Sequence, residues 1–242
     1  VALTTGSAGT IASGDYLKQV YPTSKIIASE ALQCPTLLQN GFGAHRIEGI
    51  GDKHVPWIHN VKNTDFVTAI DDNAVVKILR LFNEPAGQAY LRKKGVPEST
   101  IARLNLLGFS GIANVLSAVK FAKYNELTEN DVVLTVLTDS LELYGSRLEE
   151  YNQAFGPFTE LDAAETFAGA LHGLATDALL ELTYAERKRV HNLKYYTWVE
   201  QQGKSYEEIQ AQWYDPDYWT AVQRQVGEID QKITEFNRLV NL

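Results

Sequence analysis

The sequence predicts an α/β fold: a parallel sheet flanked by helices, with a C-terminal helical extension. Three observations predict it. Short apolar runs alternate with helix-like segments from residue 1 to about 140, the order that builds a parallel sheet with crossovers on both faces. The run Asp131-Val132-Val133-Leu134-Thr135-Val136-Leu137-Thr138 is almost continuously apolar, as in a strand covered on both sides. After Gly156-Pro157 strand signals stop and long helical stretches follow. The chain therefore divides into an α/β unit, 1–150, and a helical extension, 151–242.

The elements follow in order. Val1-Ala2-Leu3 is a short strand, and Thr5-Gly6-Ser7-Ala8-Gly9-Thr10 is a small-residue loop. A helix follows from Ile11 to Val20, and Lys25-Ile26-Ile27-Ala28-Ser29-Glu30 is a second strand. A glycine-rich region, Asn40 to Gly51, leads to a third, Asp65-Phe66-Val67-Thr68-Ala69-Ile70. A helix starts near Asp71–Asp72 and runs through Leu81. Gly111 to Tyr124 places Ile112, Val115, Leu116, Val119, Phe121 and Ala122 at helical spacing. The strand at 131–138 comes next. In the extension, Glu160–Leu182, Tyr184–Gln202 and Pro216–Leu242 read as helices, and Ser205-Tyr206-Glu207-Glu208 as a capping box opening a shorter one. Trp198, Trp213, Tyr214, Tyr218 and Trp219 are expected to pack against the α/β unit or a subunit partner.

Bulk properties narrow the function. A net charge of −8 over 242 residues argues against broad attraction to nucleic acid or anionic membrane. No apolar run is long enough to span a bilayer. The lone Cys34 rules out an internal disulfide and leaves too few thiolates for a structural zinc site. A cytoplasmic protein acting on a small molecule is the expectation.

Four segments could carry chemistry. Thr5 to Thr10 sits between a strand and a helix N-terminus, where backbone N–H groups, hydroxyls and the helix dipole favour a phosphate; a plain tight turn would have the same composition. It lacks the Gly-Lys-Ser/Thr ending of a P-loop and the glycine spacing of a dinucleotide fingerprint. The second segment holds Gly41, Gly43, Gly49 and Gly51, dense enough for backbone to approach a ligand or another segment. His45, His54 and His59 with Glu48 and Asp52 match no zinc spacing, so no metal is assigned. The third is Leu107-Gly108-Phe109-Ser110-Gly111-Ile112-Ala113-Asn114, where Ser110 is either a helix N-cap or a hydrogen-bond partner for a bound ring. The fourth is Thr138-Asp139-Ser140, at the strand end where parallel sheets bind ligands, or capping the next helix.

In this order the segments resemble the large domain of fold-type-II pyridoxal-phosphate enzymes, the cysteine synthase and threonine synthase superfamily. Gly6-Ser7-Ala8-Gly9-Thr10 is similar to the family's Gly-(Thr/Ser)-Gly-Gly-Thr phosphate loop, with Ala8 in place of a glycine. His45-Arg46-Ile47-Glu48-Gly49-Ile50-Gly51 resembles His-Lys-Ile-Gln-Gly-Ile-Gly of the cysteine synthases. Gly108-Phe109-Ser110 falls on Gly-Ile-Ser of a Gly-Ile-Ser-Ser-Gly-Ala segment, with Gly111 replacing the second serine. The strand to Thr138-Asp139-Ser140 resembles the last strand of that domain. The resemblance covers about residues 1–150.

The resemblance implies that Gly6, Ser7, Ala8, Gly9 and Thr10 hold the phosphate of pyridoxal 5'-phosphate, that Ser110 meets its pyridine nitrogen, and that Gly49, Ile50 and Gly51 shape the substrate side. A neutral hydroxyl does not keep that nitrogen protonated as a carboxylate would, which suits β-elimination or β-replacement on an amino acid over transamination. No lysine here, Lys18, Lys53, Lys62 and Lys120 included, stands in the family's Schiff-base context, so no catalytic residue is assigned. The chain is expected to be the C-terminal portion of a longer enzyme, inactive without its N-terminal part, and a homodimer. The alternative from another class is a non-catalytic α/β module that binds a phosphate ligand and oligomerises through its helical appendage.

Overall fold

The computed structural model describes residues 2–4 and 9–240. Four strands form one small sheet in the order β1 (Ala2–Thr4), β2 (Ile27–Ala31), β3 (Phe66–Ile70), β4 (Leu179–Glu181). The first three run parallel, with Ala2 opposite Ile27 and Ile27 opposite Phe66. The helices are α1 (Gly9–Val20), α2 (Thr36–Gln39), α3 (Asp72–Asn83), α4 (Pro85–Lys93), α5 (Glu98–Ile101), α6 (Phe109–Tyr124), α7 (Gly145–Phe155), α8 (Glu160–Thr166), α9 (Tyr184–Asn192), α10 (Tyr206–Tyr214), α11 (Tyr218–Arg224) and α12 (Val226–Leu239).

β2 and β3 are buried along their whole length, because successive residues enter cores on opposite faces. Ile27 and Phe66 pack with Phe121 of α6, while Ala28 and Val67 pack with Ile11 of α1, Leu37, Val55 and Val190. A polar pair also joins sheet and helix: the Thr68 and Ser117 hydroxyls lie 2.5 Å apart in the interior. Asp65, at the start of β3, receives Ile26 N–H at 2.8 Å and pairs with Lys18 of α1 at 2.7 Å and Arg187 of α9 at 3.0 Å.

Two expectations are corrected. Residues 131–138 do not form a strand. They touch the sheet through one parallel bridge, Thr135 to Ala2, and Val132 is 90% exposed. The apolar run has β1 on one side, only three residues long, and no strand among the described residues on the other, so its ladder does not propagate. The stretch Glu160–Leu182 is not one helix either. α8 passes into a π-helical turn, Phe167–His172, that stops at Gly173. Gly173 closes the turn by donating its N–H to the Ala168 carbonyl, in a space where a Cβ would stand 2.8 Å from that oxygen. It returns as β4, antiparallel to β3, which makes the sheet mixed.

The extension packs on the body through polar anchors. Lys194 is fully buried; its Nζ donates to the Trp57 and His59 carbonyls at 2.8 Å each and to Gln212 Oε1 at 2.7 Å, and it faces the Trp219 ring. Burial drives this ammonium well below the usual lysine range. Trp198 donates its indole N–H to the Val55 carbonyl and packs edge-on against Trp57, the packing role expected of it, whereas Tyr214 of the same set is 63% exposed.

Four buried groups give stability a two-sided pH dependence. Desolvation raises Glu30 to about 7 and Asp15 to about 6, and lowers His59 to about 3 and His191 to about 4. The raised carboxylates contribute stability below their unfolded values, near 4, that is lost as pH rises through 6 to 7. The lowered histidines contribute stability above about 6.5 that is lost as pH falls toward 3 to 4. The two trends oppose each other between pH 4.5 and 6.5. Glu30→Gln removes one carboxylate limb, so urea unfolding at a series of pH values should show stability rising with pH more steeply than in the wild type, by up to about 1.4 kcal/mol per pH unit.

Candidate functional site

The parallel strands direct their C-terminal ends to one edge, and the described parts of the segments singled out in the sequence lie toward it. β1 leads toward Gly9, the first residue of α1. Gly6, Ser7 and Ala8, and the side chain of Thr10, lie outside the described residues. Gly9 is exposed, and a Cβ there would meet no described atom within 4 Å. α1, twelve residues long, begins at Gly9 on the far side of the residues that follow β1.

The bridge at Thr135 carries residues 137–139 to the same edge, beside the N-terminus of α6. Side chains hold them in place of a ladder. Ser110 Oγ donates to Asp139 Oδ1 at 2.9 Å and lies 2.6 Å from Thr138 Oγ1. Tyr144 donates its phenol to Asp139 Oδ2 at 2.5 Å, and Gly108 N–H donates to the Asp139 carbonyl at 3.1 Å. Burial, then the hydrogen bond to Asp139, raise the Tyr144 phenol above its ordinary range. One turn along α6, Asn114 donates to the Val136 carbonyl at 3.0 Å. Its Oδ1 is buried and has no donor among the described residues.

Ser110 is therefore not an N-cap. Gly108 occupies that position without a side-chain cap, and Ser110 is the second residue of the helix. Asp139 and Ser140 likewise give no side-chain cap to the 3-10 turn Leu141–Tyr144. Asp139 instead lies against the first turn of α6, where the helix dipole favours a carboxylate.

The glycine-rich loop reaches this edge from the other side. Ile47 and Ile50 are buried in the core that holds Phe109 and Ile112 of α6. Gly51 has φ +69°, a conformation that side chains resist; a Cβ there would lie 3.7 Å from Ala31 N at the end of β2. Arg46 anchors the loop to α3 by pairing with Asp72 at 3.0 Å. An open groove of about 490 Å³ runs along His45, Glu48, Gly49, Gly51 and Asp52. Burial raises the Asp52 carboxyl. His54, beside Asp52, packs on Trp198, whereas His59 bonds Thr64 at 2.8 Å inside the body.

Sequence reading missed Tyr144 and the role of Asn114. Asn114 carried a usable signal, a polar residue one helical turn after Ser110 and in line with Ser117 on one helix face. Tyr144 carried none, because its link to Ser110 runs through the turn after Asp139. The contact between Asp139 and Gly108 is tight enough to test: a Cβ on Gly108 would stand 2.6 Å from the Asp139 Cγ. Gly108→Ala should push the carboxylate away from Ser110 and Tyr144. Spectrophotometric titration should then find one phenol ionising closer to the ordinary tyrosine range, and thermal unfolding a loss of about 1–3 kcal/mol.

No protein-family model matches the chain. Cysteine synthase B of Campylobacter jejuni is 29% identical over 140 residues, 57% of this chain and 40% of that protein. A cysteine synthase of Staphylococcus aureus is 26% identical over 140 residues, 57% of this chain and 39% of that protein. The chain thus spans about 40% of the length of the curated relatives it matches. Among solved structures, an O-acetylserine-dependent cystathionine β-synthase from Helicobacter pylori aligns at 28% identity and TM-score 0.44, covering 60% of this chain and 41% of that one. O-acetylserine sulfhydrylase isoform 3 from Entamoeba histolytica aligns at 24% identity and TM-score 0.48, covering 68% and 44%. Over those 140 residues the chain is a sequence relative of the cysteine synthases.

Proposed function

We propose that this chain supplies the phosphate and ring side of a pyridoxal-phosphate site, in an enzyme of β-elimination or β-replacement on an amino acid. The observation that carries this reading is the convergence of the α1 N-terminus, Ser110 with Asp139, and Gly51 at one edge of the sheet. The residues present fit the group. The N-terminus of α1 at Gly9 suits a phosphate dianion, and the buried Asn114 Oδ1, without a donor among the described residues, marks a polar edge that α6 does not satisfy by itself.

In this reading Gly6, Ser7, Ala8, Gly9 and Thr10 bind the phosphate, Ser110 binds the ring nitrogen, and Gly49, Ile50 and Gly51 line the substrate side. When bound, the cofactor supplies an electron sink for a carbanion. The chain's own residues orient it. Asp139 and Thr138 fix the direction of the Ser110 hydroxyl, and Tyr144 fixes Asp139. Ile47 and Ile50, packed under the loop, hold Gly49 and Gly51 at the groove.

We place the Schiff-base lysine on a polypeptide segment outside this chain. Supporting this, Lys18 is bound to Asp65 and the Asn63 carbonyl, Lys62 to the Trp213 carbonyl and Lys120 to Asp177, while Lys53 lies over Phe42.

Two measurements test the reading. Tryptophan fluorescence should report binding of pyridoxal phosphate to the chain, weakened about five- to tenfold by Ser110→Ala, with the far-UV circular dichroism unchanged. The enzyme assembled with the remaining length of a cysteine synthase should release a keto acid from β-substituted amino acids. Binding without turnover in that assembly would favour a non-catalytic module, and no binding in either form overturns the site.

A further inference from the structure

A polar cleft of about 330 Å³ lies between α1, the 3-10 turn Val61–Asn63 and α11. Asp15 and Asn60 line it, and both are more than nine-tenths buried, at 6% and 8% exposure. Asp15 accepts from Asn63 Nδ2 at 2.7 Å, but no cation pairs with it among the described residues. Lys18, three residues on in α1, pairs with Asp65 at 2.7 Å instead. Lys194 spends its three protons on the Trp57 and His59 carbonyls and on Gln212. The Oδ1 of Asn60 is buried and has no donor among the described residues. A buried carbonyl without a donor and a buried carboxylate without a cation are both costly. Both call for a donor, and the carboxylate for a charged one.

The complementary charge lines the same cleft. Lys62 donates to the Trp213 carbonyl at 2.7 Å and lies over the Trp213 ring, and no carboxylate pairs with it among the described residues. Asp215, also on the lining, turns an oxygen to the Asp217 N–H at 2.8 Å. The cleft therefore presents a carboxylate lacking a cation and an ammonium lacking an anion, and the two do not pair with each other. An occupant carrying both charges answers both. The volume lies at the small end of ligand pockets, about 300–1,000 Å³, which sets the size of that occupant. The far wall is held in place: Trp219 donates its indole N–H to the Gln212 carbonyl at 2.9 Å, and Gln19 of α1 donates to Gln223 of α11.

We infer that this cleft binds a free amino acid, its ammonium on Asp15 and Asn60 Oδ1 and its carboxylate on Lys62. Asn60 and Lys62 precede β3, and Asp15 lies in the C-terminal half of α1, away from Gly9. The cleft is thus at the edge where the parallel strands begin, opposite the edge that holds Ser110 and Gly51, and the inference does not rest on the cofactor reading. Burial holds the Asp15 carboxyl up at about 6, and an ammonium beside it favours the ionised form. α11 has no buried residue of its own, so an occupant held between α1 and α11 strengthens a thin contact between the extension and the body.

Thermal unfolding in the presence of each common amino acid at about 10 mM tests it. At least one should raise the midpoint by about 2–4 °C, while methylamine and acetate, which carry one charge each, should not. Lys62→Gln, at an exposed position, should weaken binding of that amino acid about tenfold by calorimetric titration, with the unliganded midpoint nearly unchanged. Bound ligand should slow amide hydrogen exchange in α11 and residues 60–63 and leave residues 45–52 as they were. Four results overturn the proposal: a midpoint that no amino acid moves, methylamine or acetate acting as well as the zwitterion, binding that survives Lys62→Gln, and protection confined to residues 45–52.

Discussion

Two five-residue parallel strands, β2 and β3, buried on both faces, are the constraint on which the rest depends. Burial on both sides demands a helix on each, and α1 and α6 meet that demand with Ile11 and Phe121. The alternation of side chains then fixes which residues face which helix, because a slip of one would turn Ala28 and Ile27 into each other's cores. With the register set, the strand ends fall at one edge and the helix N-termini fall beside them. The placement of Ser110, Gly51 and Gly9 follows from how Ile27 pairs with Phe66.

Much of this was legible in the sequence, and the reasons differ by element. Strand β3 and helix α3 announce themselves through Phe66–Ile70, the Asp71 cap and amphipathic spacing up to Leu81, all local signals. The 131–138 run misled because hydrophobicity reports burial, whereas a strand needs a neighbour to bond. Val132 has none and faces solvent. β4 was hidden for the converse reason. Leu179–Glu181 becomes a strand only because β3 offers it an open edge, and no local pattern announces that pairing. Lys194 was equally unreadable. A lysine in a polar helix reads as a solvated face, and only the arrival of the Trp57 and His59 carbonyls makes it an internal anchor.

At the site, the hydroxyl of Ser110 has one proton and competing acceptors. It is spent on Asp139, so the 2.6 Å contact with Thr138 must be donated by Thr138. The residue expected to act as a lone neutral hydroxyl is thus backed by a carboxylate, which is itself held by Tyr144 and a helix N-terminus. The direction of the Ser110 lone pairs and proton is set by Thr138 and Asp139, and Asp139 is in turn held by Tyr144.

The helical extension reaches the site by a chain of polar contacts. Arg189 of α9 donates to the Leu37 carbonyl at 2.8 Å and to Asn40, which holds α2 from the outside, while Glu30 accepts the Leu37 and Leu38 N–H groups at 2.9 Å from the inside. The Thr36 hydroxyl of the same helix donates to the Asp52 carbonyl at 2.6 Å and lies 3.1 Å from the Gly41 carbonyl, between the two ends of the glycine-rich loop. Gly51 is adjacent to Asp52 and cannot move independently of it. The backbone path of the glycine-rich loop is therefore set by α9, more than one hundred residues downstream, through α2. α9 belongs with this network and α12 does not, since α12 buries nothing in its own chain. The extension thus contains two physically different parts, one tied to the glycine-rich loop through α2 and one, α12, with no buried residue among those described.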